Sequence, residues 1–118
     1  MANEFIFHIC RDDEWQTFKK NKIYNGSTQD IRDGFIHFSA KGQISKSAKK
    51  HRAGQDNLVL LTVDTKKLGV GLKWEASRGG DMFPHYYGVL ELKAVIQADS
   101  LKLDQDKNHL FPANFFNE

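Results

Sequence analysis

Little in this sequence can cross-link the chain or coordinate a metal. Cys10 is its one cysteine, which excludes an internal disulfide and suits a reducing, cytoplasmic setting. No HxxxH or CxxC pair supplies metal-ligand spacing, so His8 and Cys10 alone make a weak ligand set and no metal is expected. No apolar run is long enough for a membrane span, and Met1-Ala2-Asn3-Glu4 lacks the basic start of a signal peptide. A membrane partner is therefore not expected. The net charge of +2 is too small to argue for nucleic acid by itself. Repeats and low-complexity linkers are also lacking. What remains is 118 residues, 40% hydrophobic and 27% charged, an ordinary composition for one globular domain spanning 1–118 with a single core.

The chemistry concentrates in Gly34-Phe35-Ile36-His37-Phe38-Ser39. Aromatic and β-branched residues give it strand character. With a side-chain period of two, Ile36 and Phe38 share an apolar face, while Phe35, His37 and Ser39 share the other. Such a strand can wall a cleft with an imidazole and a hydroxyl, or it can simply be half-buried around a hydrogen-bonded histidine.

Upstream, residues 4–10 read as a strand with Phe5, Phe7 and Ile9 on one face and Ile6, His8 and Cys10 on the other, which suggests a central strand with His8 partly buried. Asp12-Asp13-Glu14 opens a helix that anchors through Trp15 and Phe18 and stops near Asn21. Ile23-Tyr24 is a short extended piece, Asn25-Gly26-Ser27 a turn, and residues 30–33 a polar approach to Gly34. Downstream, residues 41–52 form a second, thinly striped helix with Ile44 and Ala48 inward. Its Lys41, Lys46, Lys49, Lys50 and Arg52 make it the most basic part of the chain, either a solvated face or a site for phosphate groups. Residues 57–64 are apolar on both faces and read as a central strand. Leu72 to Glu75 is a short strand, Ala76 to Met82 a flexible loop, Phe83 to Gly88 an aromatic segment, and Val89 to Ala98 another strand. Leu101 and Leu103 suggest a last strand, and Phe111, Phe115 and Phe116 can fold back. The pattern predicts an α+β domain with split, mostly antiparallel sheets and two main helices.

Taken together, His8-Ile9, Gly34 to Ser39, Trp74-Glu75-Ala76-Ser77, Phe83-Pro84-His85-Tyr86-Tyr87-Gly88 and Leu92-Lys93-Ala94-Val95 resemble the small bacterial domain-of-unknown-function family nine-five-two. The match runs over about 4–103, leaving a tail at 104–118. The resemblance implies a fold similar to that of ADP-ribosyltransferases, which bind NAD in a cleft between two small sheets. It also implies a distant similarity to the tRNA 2′-phosphotransferase catalytic domain, whose first-strand histidine and H-x-S fall on His8 and on His37-Phe38-Ser39. The residues after His8 are Ile-Cys, where that enzyme has a small Gly-Thr pair.

On that resemblance, NAD is the expected ligand or substrate. Glu75 and His8 are the expected catalytic pair, with Glu75 stabilising positive charge on a ribose. His37, Ser39, Lys41, Trp74, Ser77, His85, Tyr86 and Tyr87 are expected to bind the ligand, Lys41 at the start of the basic helix and Lys49 and Lys50 farther along its surface. Against this stands a pairing of Glu75 with Arg78 or a lysine at the surface. A small molecule is the expected partner and nucleic acid a weaker one. Two other readings stay open: a non-catalytic module binding a metabolite or protein in the same cleft, and a folded domain whose histidines and aromatics only serve packing.

Overall fold

The computed structural model describes residues 4–77, 79–113 and 115–116; Met1 to Asn3 and Arg78 lie outside them. Strand β1 (Phe5–Arg11) runs antiparallel to β4 (Leu58–Asp64), with Phe5 opposite Asp64 and Arg11 opposite Leu58. Strand β4 pairs on its other side with β8 (Val95–Leu103), and β8 with the short β9 (His109–Leu110). The order is β1-β4-β8-β9, so β4 is central, as its two apolar faces predict. The period of two divides the core. Ile6 and Cys10 join Val59, Leu61 and Val63 in one cluster, and Phe7 and Ile9 join Leu58, Leu60 and Leu101 in another on the opposite face.

A second sheet has the order β3-β6-β5, built from β3 (Ile36–His37), β6 (Met82–Tyr86) and β5 (Leu72–Ala76). A two-residue ladder joins β2 (Ile23–Tyr24) to β7 (Leu90–Glu91). Every pairing among the described residues is antiparallel. The α-helices among the described residues are α1 (Asp12–Asn21), α2 (Thr28–Asp33) and α3 (Ile44–His51). The fold is α+β with several antiparallel sheets and few helices.

Three expectations need correction. Strand β1 is apolar on both faces yet ends its sheet; its outer edge bridges to Ser39 through reciprocal bonds between the N–H and C=O groups of Phe7 and Ser39 at 2.9 and 2.8 Å. The basic helix does not begin at Lys41, because Gln43 and Ile44 donate their N–H groups to Ala40 in a turn before α3. Residues 89–98 are not one strand. A 3₁₀ turn at Leu92–Ala94, tied by the Leu92 N–H to the Lys22 carbonyl, shifts the side-chain phase. Leu90 and Ala94 are consequently buried while Ile96 faces out.

Candidate functional site

The isolated bridge between Phe7 and Ser39 is where the two sheets part, and a cleft of about 560 Å³ opens there. Its floor is Phe7, His8 and Ile9 of β1. One wall carries His37, Phe38 and Ser39, with Phe83 and His85 of β6 beside them; α3 and its C-cap form the other wall, with Lys46, Ser47, Lys50, His51 and Arg52.

The most buried polar group is Asp30 on α2. The turn before it brings the chain close: a Cβ on Gly26, whose φ is +103°, would stand 2.4 Å from the Asp30 Cβ. Ser27 caps α2, its backbone N–H donating to Asp30 Oδ2 at 2.7 Å while its hydroxyl accepts from the Asp30 N–H. His37 donates twice to Oδ1, from its backbone at 3.1 Å and from ring Nδ1 at 2.6 Å. Burial alone would raise the Asp30 carboxyl, but the bonds from His37 and Ser27 and the proximity of His8 outweigh it and hold it down to about 2.

His8 belongs to the same network. Its Nδ1–H donates to the His37 carbonyl at 2.7 Å, and its Nε2 accepts from the Tyr24 hydroxyl at 2.8 Å. That pattern uses the neutral ring. Burial also lowers the His8 pKa, favouring the neutral form, and raises that of Tyr24, keeping its proton in place. Ser39 and Ser47 pair through their hydroxyls at 2.9 Å.

The hairpin wall differs. Strands β5 and β6 pair from Leu72 opposite Tyr86 to Ala76 opposite Met82, so the expected loop is the connection between them, its ends Ala76 and Met82 paired and its turn closed by the Ser77 N–H on the Asp81 carbonyl. Glu75 Oε1 accepts from His85 Nδ1–H at 2.8 Å and from the Tyr87 hydroxyl at 2.7 Å. Those two bonds, Tyr87 first, hold the Glu75 carboxyl below its ordinary value. The His85 ring lies on Phe35, centroids 4.1 Å apart at 26°.

On the third side, the Arg52 guanidinium donates to the Ile9 carbonyl at 3.0 Å, tying α3's end to the open edge of β1. His51 is held below its ordinary value, by burial first and then by Lys50, His37 and Arg52. An anion placed there would relieve that crowding of positive charge.

Of the residues expected at the site, His8, His37, Ser39, Ser77 and His85 line the cleft. Glu75 stands behind His85, joined to it and to Tyr87, a pairing within the hairpin rather than with a lysine; Arg78 falls outside the described residues. Three others are elsewhere. Lys41 precedes α3 and points its ammonium at Phe115, 5.2 Å from the ring centroid. Trp74 packs against the first core cluster, and Tyr86 is buried in it, its hydroxyl accepting from the Gly69 N–H at 3.2 Å. Tyr86 and His85 are adjacent in a strand, so they face opposite ways and only one reaches the cleft.

Sequence reasoning missed Asp30, Tyr24, Ser47 and the cleft-facing role of Lys50. Asp30 carried a readable signal, the Ser27-x-x-Asp30 capping spacing. Among the described residues no group of three or more His, Cys, Asp or Glu side chains is arranged to hold a metal. Burial pushes the Cys10 thiol up to about 12, leaving it un-ionised.

The model of a family described as protein of unknown function, DUF952, matches residues 9–98. No curated protein matches the chain. Among solved structures, the crystal structure of protein CC0527 from Caulobacter crescentus is 42% identical, covers 95% of this chain and 98% of its own, and superposes with a TM-score of 0.89. The solution structure of CC0527 is 45% identical over 89% of this chain and 90% of its own, with a TM-score of 0.80.

Proposed function

The chain belongs to the DUF952 family of proteins of unknown function, and we propose that its cleft binds a diphosphate-bearing nucleotide of the ADP-ribose class, NAD included. The observation that carries this reading is the opposition of two walls across one cavity. Lys46, Lys50 and Arg52 stand on the helix side, and His37, Phe83 and His85 on the sheet side. A diphosphate suits the cations, which attract phosphate oxygens as point charges or, for Arg52, through a planar fork. Ribose hydroxyls suit the imidazoles, and a base or nicotinamide ring suits the aromatic faces. The volume lies within the range of small-molecule sites, roughly 300–1,000 Å³. A site set in the divide between two small antiparallel sheets is consistent with an ADP-ribosyltransferase-like fold, which the sequence motifs also suggest. A cleft of about 560 Å³ suits a small ligand better than a nucleic acid, which binds along extended basic tracks.

Calorimetric titration with ADP-ribose and NAD, paired with amide chemical shifts, tests the reading. Saturable binding with shifts at His37, Ser47, Lys50 and His85 is expected. Absence of binding, or shifts gathered away from the cleft, would overturn it.

A further inference from the structure

We propose that His85 is the general base of this cleft and that Glu75 is the residue that positions it. This rests on the ligand reading above and gives the bound nucleotide a chemistry. Three observations meet at His85. Its Nδ1 is committed to Glu75 at 2.8 Å. A donor bond to a carboxylate places the proton on Nδ1 and leaves Nε2 with its lone pair. That Nε2 has no protein partner among the described residues, and no buried side-chain nitrogen or oxygen there lacks one, so it is reached from outside. His85 lines the cleft, which makes the cleft its approach.

The ring is also held still. Phe35 stacks on it, His37 meets it edge to face with centroids 5.5 Å apart, and the Glu75 oxygen that orients it is pinned by the Tyr87 hydroxyl. Both members sit on paired strands rather than on a loop, Lys73 opposite His85 and Glu75 opposite Phe83. Carboxylate, imidazole and an open nitrogen facing a cavity form the base half of a proton-transfer site. Glu75 does not line the cavity, so its charge acts on the ligand through His85.

With NAD bound, the step is hydrolysis at the nicotinamide ribose. A water oxygen bonds to the anomeric carbon while one of its protons passes to His85 Nε2. The carbon–nitrogen bond breaks, its electron pair returns to the pyridinium ring, and neutral nicotinamide leaves. The imidazolium beside Glu75 then gives its proton to solvent. An acceptor hydroxyl in place of water would lead to ADP-ribosyl transfer by the same proton path.

The test measures nicotinamide release from NAD and ADP-ribose affinity on the same preparations of the full chain. The parent should release nicotinamide at a rate that rises with pH to a plateau. His85→Asn should lower that rate about 100-fold or more. Glu75→Gln keeps an oxygen for both partners and removes only charge. It should slow release while ADP-ribose affinity stays at the parent value, a split that a purely structural role would not give. If His85→Asn fails to fold, the Glu75→Gln rate, read beside its ADP-ribose affinity, decides alone. ADP-ribose binding without nicotinamide release in the parent would overturn the inference and leave the ligand reading standing, as would a Glu75→Gln variant with the parent's rate. Failure of both ADP-ribose and NAD to bind removes the ligand reading, and the inference with it.

Discussion

Among the described residues two carboxylates, Asp30 and Glu75, hydrogen-bond a histidine ring, and their surroundings separate what the pairs can do. The Asp30 side chain is 3% exposed and that of Glu75 38%. Asp30 accepts on both oxygens, from Ser27 and twice from His37, and His8 beside it uses both ring nitrogens. The carboxylate's bonds all go to other parts of the fold, and the far nitrogen of His37, Nε2, stands 3.2 Å from Asp33 Oδ2. The Glu75 network ends at an open nitrogen of His85. The same pair of functional groups thus serves architecture where every donor and acceptor is spent, and is available for chemistry where one is left over.

Charge removal should break the two networks unequally. Asp30→Asn keeps the shape but turns one acceptor into a donor, facing either the Ser27 N–H or the donors of His37. Leaving such buried groups unpaired costs about 1–3 kcal/mol each, so a loss on the order of 3 kcal/mol is expected in urea unfolding. Glu75→Gln at the solvent side should leave the unfolding midpoint close to the parent's. Equal midpoints for the two variants would erase the contrast.

Acid should reproduce the contrast more gently. The Asp30 carboxyl is lowered from 3.8 to about 2. Its contribution is whole above 3.8 and is lost as pH falls from there through 2, in an amount on the order of 2 kcal/mol. His8 is lowered from 6.5 by burial, so below 6.5 the unfolded chain takes up a proton that the folded ring resists. Stability should therefore begin to decline below pH 6.5 and decline again below about 4. Unfolding free energies between pH 8 and pH 2 would show both limbs, and Asp30→Asn should flatten the lower one. An unchanged lower limb in that variant would assign the acid sensitivity elsewhere.

The Asp30 network was the harder of the two to see in the sequence. Alternation alone places His8 on the face of Ile6 and Cys10, and Ile36 and Phe38 opposite His37, and the structure agrees. Central β4 was equally legible, because Leu58 to Leu61 and Val63 put apolar side chains on both faces. Asp30 was legible only as a helix cap: the Ser27-x-x-Asp30 spacing marks where α2 starts, but a carboxylate in Thr28-Gln29-Asp30-Ile31-Arg32-Asp33 still reads as one more solvated charge. Its burial depends on Gly26 admitting the side chain and on His37, seven residues on, folding back over it. Glu75 and His85 were legible as site residues from motifs, but their partnership was not, because it needs the register of β5 against β6. Tyr86 and Tyr87 were indistinguishable in sequence; strand parity decides that one is core and the other holds Glu75.

The contrast between committed and open groups extends to the lysines, where the smallest effect is expected. Lys41 is the first cation after Ser39, and proximity in sequence made it the natural phosphate ligand. Yet the turn from Ala40 to Gln43 sends it to the Phe115 ring, against the second core cluster, where a cation over an aromatic face is stabilised by roughly 0.5–1 kcal/mol. Lys50 follows the first turn of α3 and lines the cleft with Arg52. One charge-assisted contact to phosphate contributes about 1.5–3 kcal/mol at most and less in salt. Lys50→Ala should therefore weaken ADP-ribose binding by about tenfold at low ionic strength, an effect that shrinks as salt is added. Lys41→Ala should leave the affinity unchanged and lower the melting temperature slightly through the lost ring contact. Equal weakening by both substitutions would mean that ADP-ribose responds to the summed field of the basic segment rather than to the wall that Lys50 and Arg52 build.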